Sequence, residues 1–342
     1  MTFFKTIKYC LTIVFMVTLV SICDRVYADG MGYSVQAVIP ENQIDQSKTY
    51  FDLKMNPGQT QNIELEIKSS SEETLNLAVV PYIGTTNQNG ELEYSVEPEK
   101  NDSTLVYPIT RLISGQQKVT LKPKETKRVT FTLKMPKKAF EGKIVGGFNV
   151  YDEANDATNE SKSKKNDVQI KNVFSVVIGI QLRENLDKIK PELKLNTVKA
   201  SLFNYRTAII ANLQNTQPEF ISELSVSTKV RKQNSKKVIY EAEKSDMAMA
   251  PNSNFNFPIS LENQEIEAGN YELELIAHSK TENWRFTKKF RITEDEAVQL
   301  NTEAVEIETE TGNMFIWIIV LSISLVMLLL LVIIFLVWRR RK

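Results

Sequence analysis

Strict alternation of apolar and polar residues, launched each time from a proline turn, constrains this chain more than any other feature. Asn56 to Ile67 reads NPGQTQNIELEI, Lys122 to Leu133 reads KPKETKRVTFTL, and Ala250 to Leu261 reads APNSNFNFPISL. In the first copy Ile63, Leu65 and Ile67 fall on one side while Glu64, Glu66 and Lys68 fall on the other. Val129, Phe131 and Leu133 repeat the spacing, as do Phe255, Phe257, Ile259 and Leu261. A period of two specifies a strand with one face on a core and one in water, whereas a helix needs spacings of three and four. Pro258, on the polar side of the third copy, predicts an edge strand, because proline has no N–H to offer a ladder.

Leu75 to Ile83, Gly142 to Tyr151, Val168 to Leu182, Thr207 to Leu213, Ser222 to Arg231, Tyr271 to His278 and Trp284 to Ile292 also read as strands. Polar clusters such as Thr85 to Gly90 and Asn263 to Asn270 separate them. Many short strands with regular turns predict β-sandwiches. The second and third copies share an order: proline turn, alternating strand, polar bend, a glycine, another strand. That repeated order predicts two tandem immunoglobulin-like sandwiches, an all-β fold over 30–185 and 186–293. The polar stretch Asp152 to Asp167 is expected as a long hairpin loop before the strand Val168 to Leu182. Gly146-Gly147, inside a strand pattern, predicts a bulge or a close backbone contact.

The two ends carry membrane signals. Lys5 and Lys8, the apolar run Cys10 to Ile22 and Val26-Tyr27-Ala28 have the order of a signal peptide, 1–28, cut after Ala28. Ile22 before Cys23 stands where a lipoprotein site has a small residue. Met314 to Trp338 holds 25 residues without a charge, enough for a transmembrane helix of about 20 residues. Trp317 and Trp338 mark its edges, and Arg339-Arg340-Arg341-Lys342 places a basic tail, 339–342, in the cytoplasm. Glu310-Thr311-Gly312-Asn313 lacks the proline of a wall-sorting signal, so membrane retention is expected. Residues 294–313 are acidic, with no basic residue from Glu294 to Glu310, and are expected as an extended or loosely helical stalk.

The exported part is left acidic by about six charges, which argues against nucleic acid as a partner. Both cysteines, Cys10 and Cys23, lie in the signal, so disulfides and thiolate zinc sites are excluded from the mature chain. His278 is the one histidine, at a strand end, and reads as a surface residue rather than a catalytic one. Glu294-Asp295-Glu296 lacks the spacing of a calcium loop. No phosphate loop, nucleophile elbow or metal-binding histidine pair is present. No catalytic, cofactor or metal residue is therefore expected. Asn101-Asp102-Ser103 and Asn159-Glu160-Ser161 match glycosylation sequons. Trp284, Tyr82, Tyr94, Tyr107, Phe148 and Tyr151 are candidates for stacking on a sugar, with core packing as the alternative for each.

YSVQAVIPENQID (Tyr33 to Asp45), YFDLKMNPGQTQNIELEI (Tyr50 to Ile67) and GKIVGGFNVY (Gly142 to Tyr151) resemble the first domain of the WxL-interacting proteins, surface proteins of low-GC Gram-positive bacteria. KLNTVKASLFNYRTAIIANLQNTQ (Lys194 to Gln217), AGNYELELIAH (Ala268 to His278) and WRFTKKF (Trp284 to Phe290) resemble their second domain. The resemblance implies a peptidoglycan-binding domain, a host-protein-binding domain and association with WxL-type wall proteins. It places the family boundary near 152 and the second domain's start near 165. A non-catalytic, membrane-anchored scaffold is thus expected, with peptidoglycan, WxL proteins and host extracellular-matrix or plasma proteins as partners. A membrane-bound wall-modifying enzyme is the rival reading.

Overall fold

The computed structural model describes residues 31–155, 174–305 and Met327. The expected signal peptide and basic tail lie outside those residues. So do the membrane span apart from Met327, the second half of the stalk, the sequon at Asn159 and most of the 152–167 loop. Among the described residues no helix is long and apolar enough to cross a membrane.

The first ten strands are β1 (Tyr33–Val38), β2 (Phe51–Lys54), β3 (Thr60–Ser69), β4 (Leu75–Ile83), β5 (Thr85–Thr86), β6 (Leu92–Glu93), β7 (Gln117–Leu121), β8 (Thr126–Lys134), β9 (Ile144–Asp152) and β10 (Ser175–Arg183). They form a three-stranded sheet β1-β3-β8, a five-stranded sheet β2-β10-β9-β4-β7, and the small hairpin β5-β6. The second group is β11 (Leu193–Phe203), β12 (Arg206–Asn215), β13 (Ile221–Lys232), β14 (Val238–Met249), β15 (Ser253–Ser260), β16 (Gly269–His278) and β17 (Asn283–Ile292). It forms sheets β11-β12-β15 and β14-β13-β16-β17.

The three copies of the phrase are β3, β8 and β15. The first two are antiparallel neighbours, with Ile63 opposite Phe131 and Leu65 opposite Val129. The third occupies in the second sandwich the place β8 holds in the first, beside the middle strand of a three-stranded sheet. Among the described residues β15 pairs only with β12 and so is an edge strand, and Pro258 lies opposite Ile210 without breaking the register.

Each sandwich has its own core. Ile63, Leu65, Ile67, Val129 and Phe131 from one sheet meet Leu77, Val79, Phe148, Val150 and Leu182 from the other. The rings of Phe131 and Phe148 lie 4.7 Å apart across that gap. A second cluster joins Ile209, Leu213, Phe257 and Ile259 to Val226, Val230, Leu273 and Leu275. Burying each such side chain contributes about 1.5–3 kcal/mol, which is why the alternation dictates which face turns inward. Gly146 and Gly147 mark close contacts in a ladder of unbroken register. A Cβ on Gly146 would lie 2.3 Å from the Tyr82 carbonyl oxygen, and one on Gly147 would lie 2.8 Å from Tyr94 Cβ.

Of the two forms expected for the acidic stretch, Glu294–Glu303 takes the helical one, α1, and it docks on the second sandwich. Thr293 accepts from the Glu296 N–H, and the Glu296 carboxylate accepts from the Thr293 N–H, a reciprocal cap that satisfies two orphan donors. Acidic residues in the first turn face the positive end of the helix dipole rather than only repelling one another. Ala297 enters the second core and Leu300 packs against it. The Asn301 carboxamide brackets Ile266, accepting from its N–H at 2.8 Å and donating to its C=O at 3.0 Å.

Candidate binding cleft at the domain junction

The hairpin β5-β6 projects from the first sandwich and is caught by the second. Its turn is set by Asn87, whose side-chain oxygen accepts from the N–H groups of Asn89 and Glu91. Gly90 follows at φ +68°, and a Cβ there would meet Met247 Sδ at 2.5 Å. Only glycine meets both demands, and its carbonyl then accepts from Ala248 N–H at 2.7 Å. Thr86 Oγ1 accepts from Ala250 N–H at 3.0 Å and lies 2.6 Å from Ser253 Oγ, which donates to the Ala250 carbonyl.

A second bridge is built on Asp102. Its carboxylate accepts from the Thr104 N–H and hydroxyl within its own loop, and from Gln214 and Asn254 across the junction. Burial pushes this carboxyl up, but those donors outweigh it and hold it below the ordinary carboxylate value. Asn252 donates to Thr104 Oγ1, and Lys143 N–H donates to the Pro218 carbonyl at 2.8 Å. The Lys143 ammonium pairs with Glu219.

Between these contacts lies a cleft of about 600 Å³. The amides of Asn87, Gln88, Asn89, Asn204, Asn254 and Asn256 line it, together with Thr86, the carboxylate of Glu93 and the half-buried Phe203. The amides continue as a ladder over the outer face of β11-β12-β15. Asn196 donates to Asn212, which donates to Asn254 and Asn256 at 3.2 and 2.9 Å. Asparagine is depleted in strands, so a row of it on one sheet face is a costly choice for that position. Each carboxamide offers donors and an acceptor without charge, the chemistry that matches hydroxyl and acetamido groups.

The sequence candidates are scattered. Phe148 is fully buried in the first core, and Tyr107 packs at a tilt on Phe140 with centroids 6.0 Å apart. Tyr82 and Tyr151 are half-buried in β4 and β9, and Trp284 packs half-buried on the second core. Tyr94 lies over Gly147, and burial, with a smaller effect from Tyr50, pushes its phenol up to about 12. His278 is exposed at the end of β16, opposite Ser225 and Asn283. Among the described residues no group of His, Cys, Asp and Glu is arranged to hold a metal. Asn101 is half-buried beside the bridging Asp102. The cleft amides went unread because alternation shows only that they face outward, and the junction alone brings them together.

The family described as WxL Interacting Protein, peptidoglycan binding domain, matches residues 33–152, and its host binding domain matches residues 165–302. The chain belongs to the WxL-interacting protein family. The host-binding match begins ahead of β10, a strand that hydrogen-bonds in the first sandwich's sheet. No curated protein matches the chain in sequence. Among solved structures, a chain of the chaperone–tip adhesin complex of CFA/I fimbriae biogenesis is similar at 10% identity and TM-score 0.30, covering 75% of this chain and 98% of that one. The CupB2 chaperone of Pseudomonas aeruginosa is similar at 13% identity and TM-score 0.25, covering 68% and 92%. The DraB chaperone of E. coli is similar at 12% identity and TM-score 0.24, covering 69% and 90%. In this member of the family two β-sandwiches meet at a polar junction.

Proposed function

We propose that this protein is a non-catalytic, membrane-anchored surface scaffold that holds peptidoglycan in the amide-lined cleft and gathers WxL-type wall proteins around it. The observation that carries the reading is the cleft of about 600 Å³, lined by six carboxamides beside the single carboxylate of Glu93. Glycan strands present hydroxyl and N-acetyl groups at short intervals, and convergent uncharged donors and acceptors on a rigid mount recognise such groups. The second domain's family adds host proteins as partners. The apolar run 314–338 and the basic tail support anchoring with the body outside the cell.

The test is co-sedimentation of the exported region with purified peptidoglycan, beside pull-down with a WxL-domain protein. Retention on both supports the scaffold. Retention on neither removes it, and turnover of wall fragments would favour a wall-modifying enzyme instead.

A further inference from the structure

We propose that the uncovered half of β10 is a docking edge for an extended segment of a partner protein, which joins the five-stranded sheet beside Ser175–Gly179. β2 pairs in parallel with Ile180–Arg183 only, and among the described residues nothing pairs with the same edge of Ser175–Gly179. The register identifies the open groups. Arg183 C=O accepts from Met55 N–H at 3.0 Å, so its backbone faces the β2 side. Backbone direction alternates along a strand of unbroken register, which turns the N–H and C=O of Val177 and Ser175 to that side as well.

The surroundings of this edge suit contact. Phe174 to Gly179 reads FSVVIG, without charge or proline, where solvent-facing edges are usually guarded by lysine, proline or a bulge. Phe174 and Val177 are 55% and 38% exposed. Val177 borders a cavity of about 570 Å³ walled by Tyr50, Leu92, Tyr94, Val145 and Phe220. That cavity is continuous with the domain interface, since Phe220 comes from the second sandwich. Asn149, opposite Val177 on the same sheet face, is buried with its carboxamide oxygen unpartnered.

The open groups decide the occupant. Backbone N–H and C=O repeating every second residue, about 6.6 Å apart, match another extended chain. β2 already pairs with the other half of the same edge, and the added strand continues its row. The fitting segment is uncharged, about five residues long, with apolar side chains at alternate positions and one of them filling the cavity beside Val177. This rests on the reading of the protein as a scaffold for wall proteins and is independent of glycan retention.

The experiment uses the full chain in lipid nanodiscs and the peptide TVTVTV carrying one photoreactive leucine in place of valine. Cross-links are expected within 174–181 and on Tyr50 or Leu92. Labelling is expected to fall at least tenfold in Val177→Lys, and equally with a peptide interrupted by proline. Val177→Pro, which removes the outward N–H at an open edge, gives the same loss if the lysine variant is unfolded by thermal melting. Labelling that survives both variants, or that maps elsewhere, overturns the proposal. So do cross-links joining two copies of the chain through β10. Absence of labelling alongside intact WxL-protein capture overturns the strand edge and leaves the scaffold reading standing.

Discussion

Arg183 grips the carboxylate of Asp52, which has no exposure to solvent, through Nη2 at 2.6 and 2.9 Å and Nε at 3.1 Å. Lys48 adds a fourth contact at 3.0 Å from a more exposed position. The pair fastens β2 to β10 within the parallel pairing, which runs from Ile180 to Arg183 and leaves the edge open from Gly179 back to Ser175. Removing one member of a buried ion pair leaves the other uncompensated, which costs about 3–5 kcal/mol. Asp52→Ala is expected to lower the first domain's unfolding free energy by about that much, and Lys48→Ala by less than about 1 kcal/mol. Urea denaturation of the exported region measures both.

Thr86→Val tests the junction with little change of shape. It leaves Ala250 N–H without its acceptor, and a buried unsatisfied donor costs about 1–3 kcal/mol. The expected outcome is faster amide hydrogen exchange at Ala248 and Ala250 with both sandwich cores still protected.

Acid should loosen the same junction. The Asp102 carboxyl is held low, so it binds fewer protons folded than unfolded. Its contribution is full above its unfolded value of about 3.9 and is lost as pH falls through the lower folded value. Fluorescence energy transfer between labels on the two sandwiches is expected to hold at neutral pH and to change below about pH 4. Asp102→Asn is expected to remove that acid step.

Asn256→Ala removes a cleft carboxamide that faces solvent on an edge strand. If one hydrogen bond to glycan is worth about 0.5–1.5 kcal/mol, retention on peptidoglycan falls roughly two- to tenfold with the melting temperature unchanged. Undiminished retention would move the glycan away from this cleft.

Thr293→Ala breaks the reciprocal cap of α1 and is expected to cost about 1 kcal/mol. Hydrogen exchange across 294–303 should speed up, while β16 and β17 keep their protection.

Alternation by itself determined that Ile63, Leu65 and Ile67 turn inward and that Pro258 lies at an edge, because strand geometry couples every second residue to one face. It also determined that two similar sandwiches follow one another. It was blind to the docking of α1, since acidic residues that repel in isolation are stabilised once a cap and a helix dipole exist. The cap's signature, Thr293 followed three residues later by Glu296, was legible in the chain but outweighed by charge counting. Only the tertiary structure brought Asn87 beside Asn254 and Asp102 beside Gln214. Those pairs are separated by more than a hundred residues, and no local periodicity encodes which loop of one sandwich will meet which strand of the next. The half-covered edge of β10 is of the same kind. The strand was readable, but its open side was decided by how short β2 is and where Asp52 and Arg183 lock it.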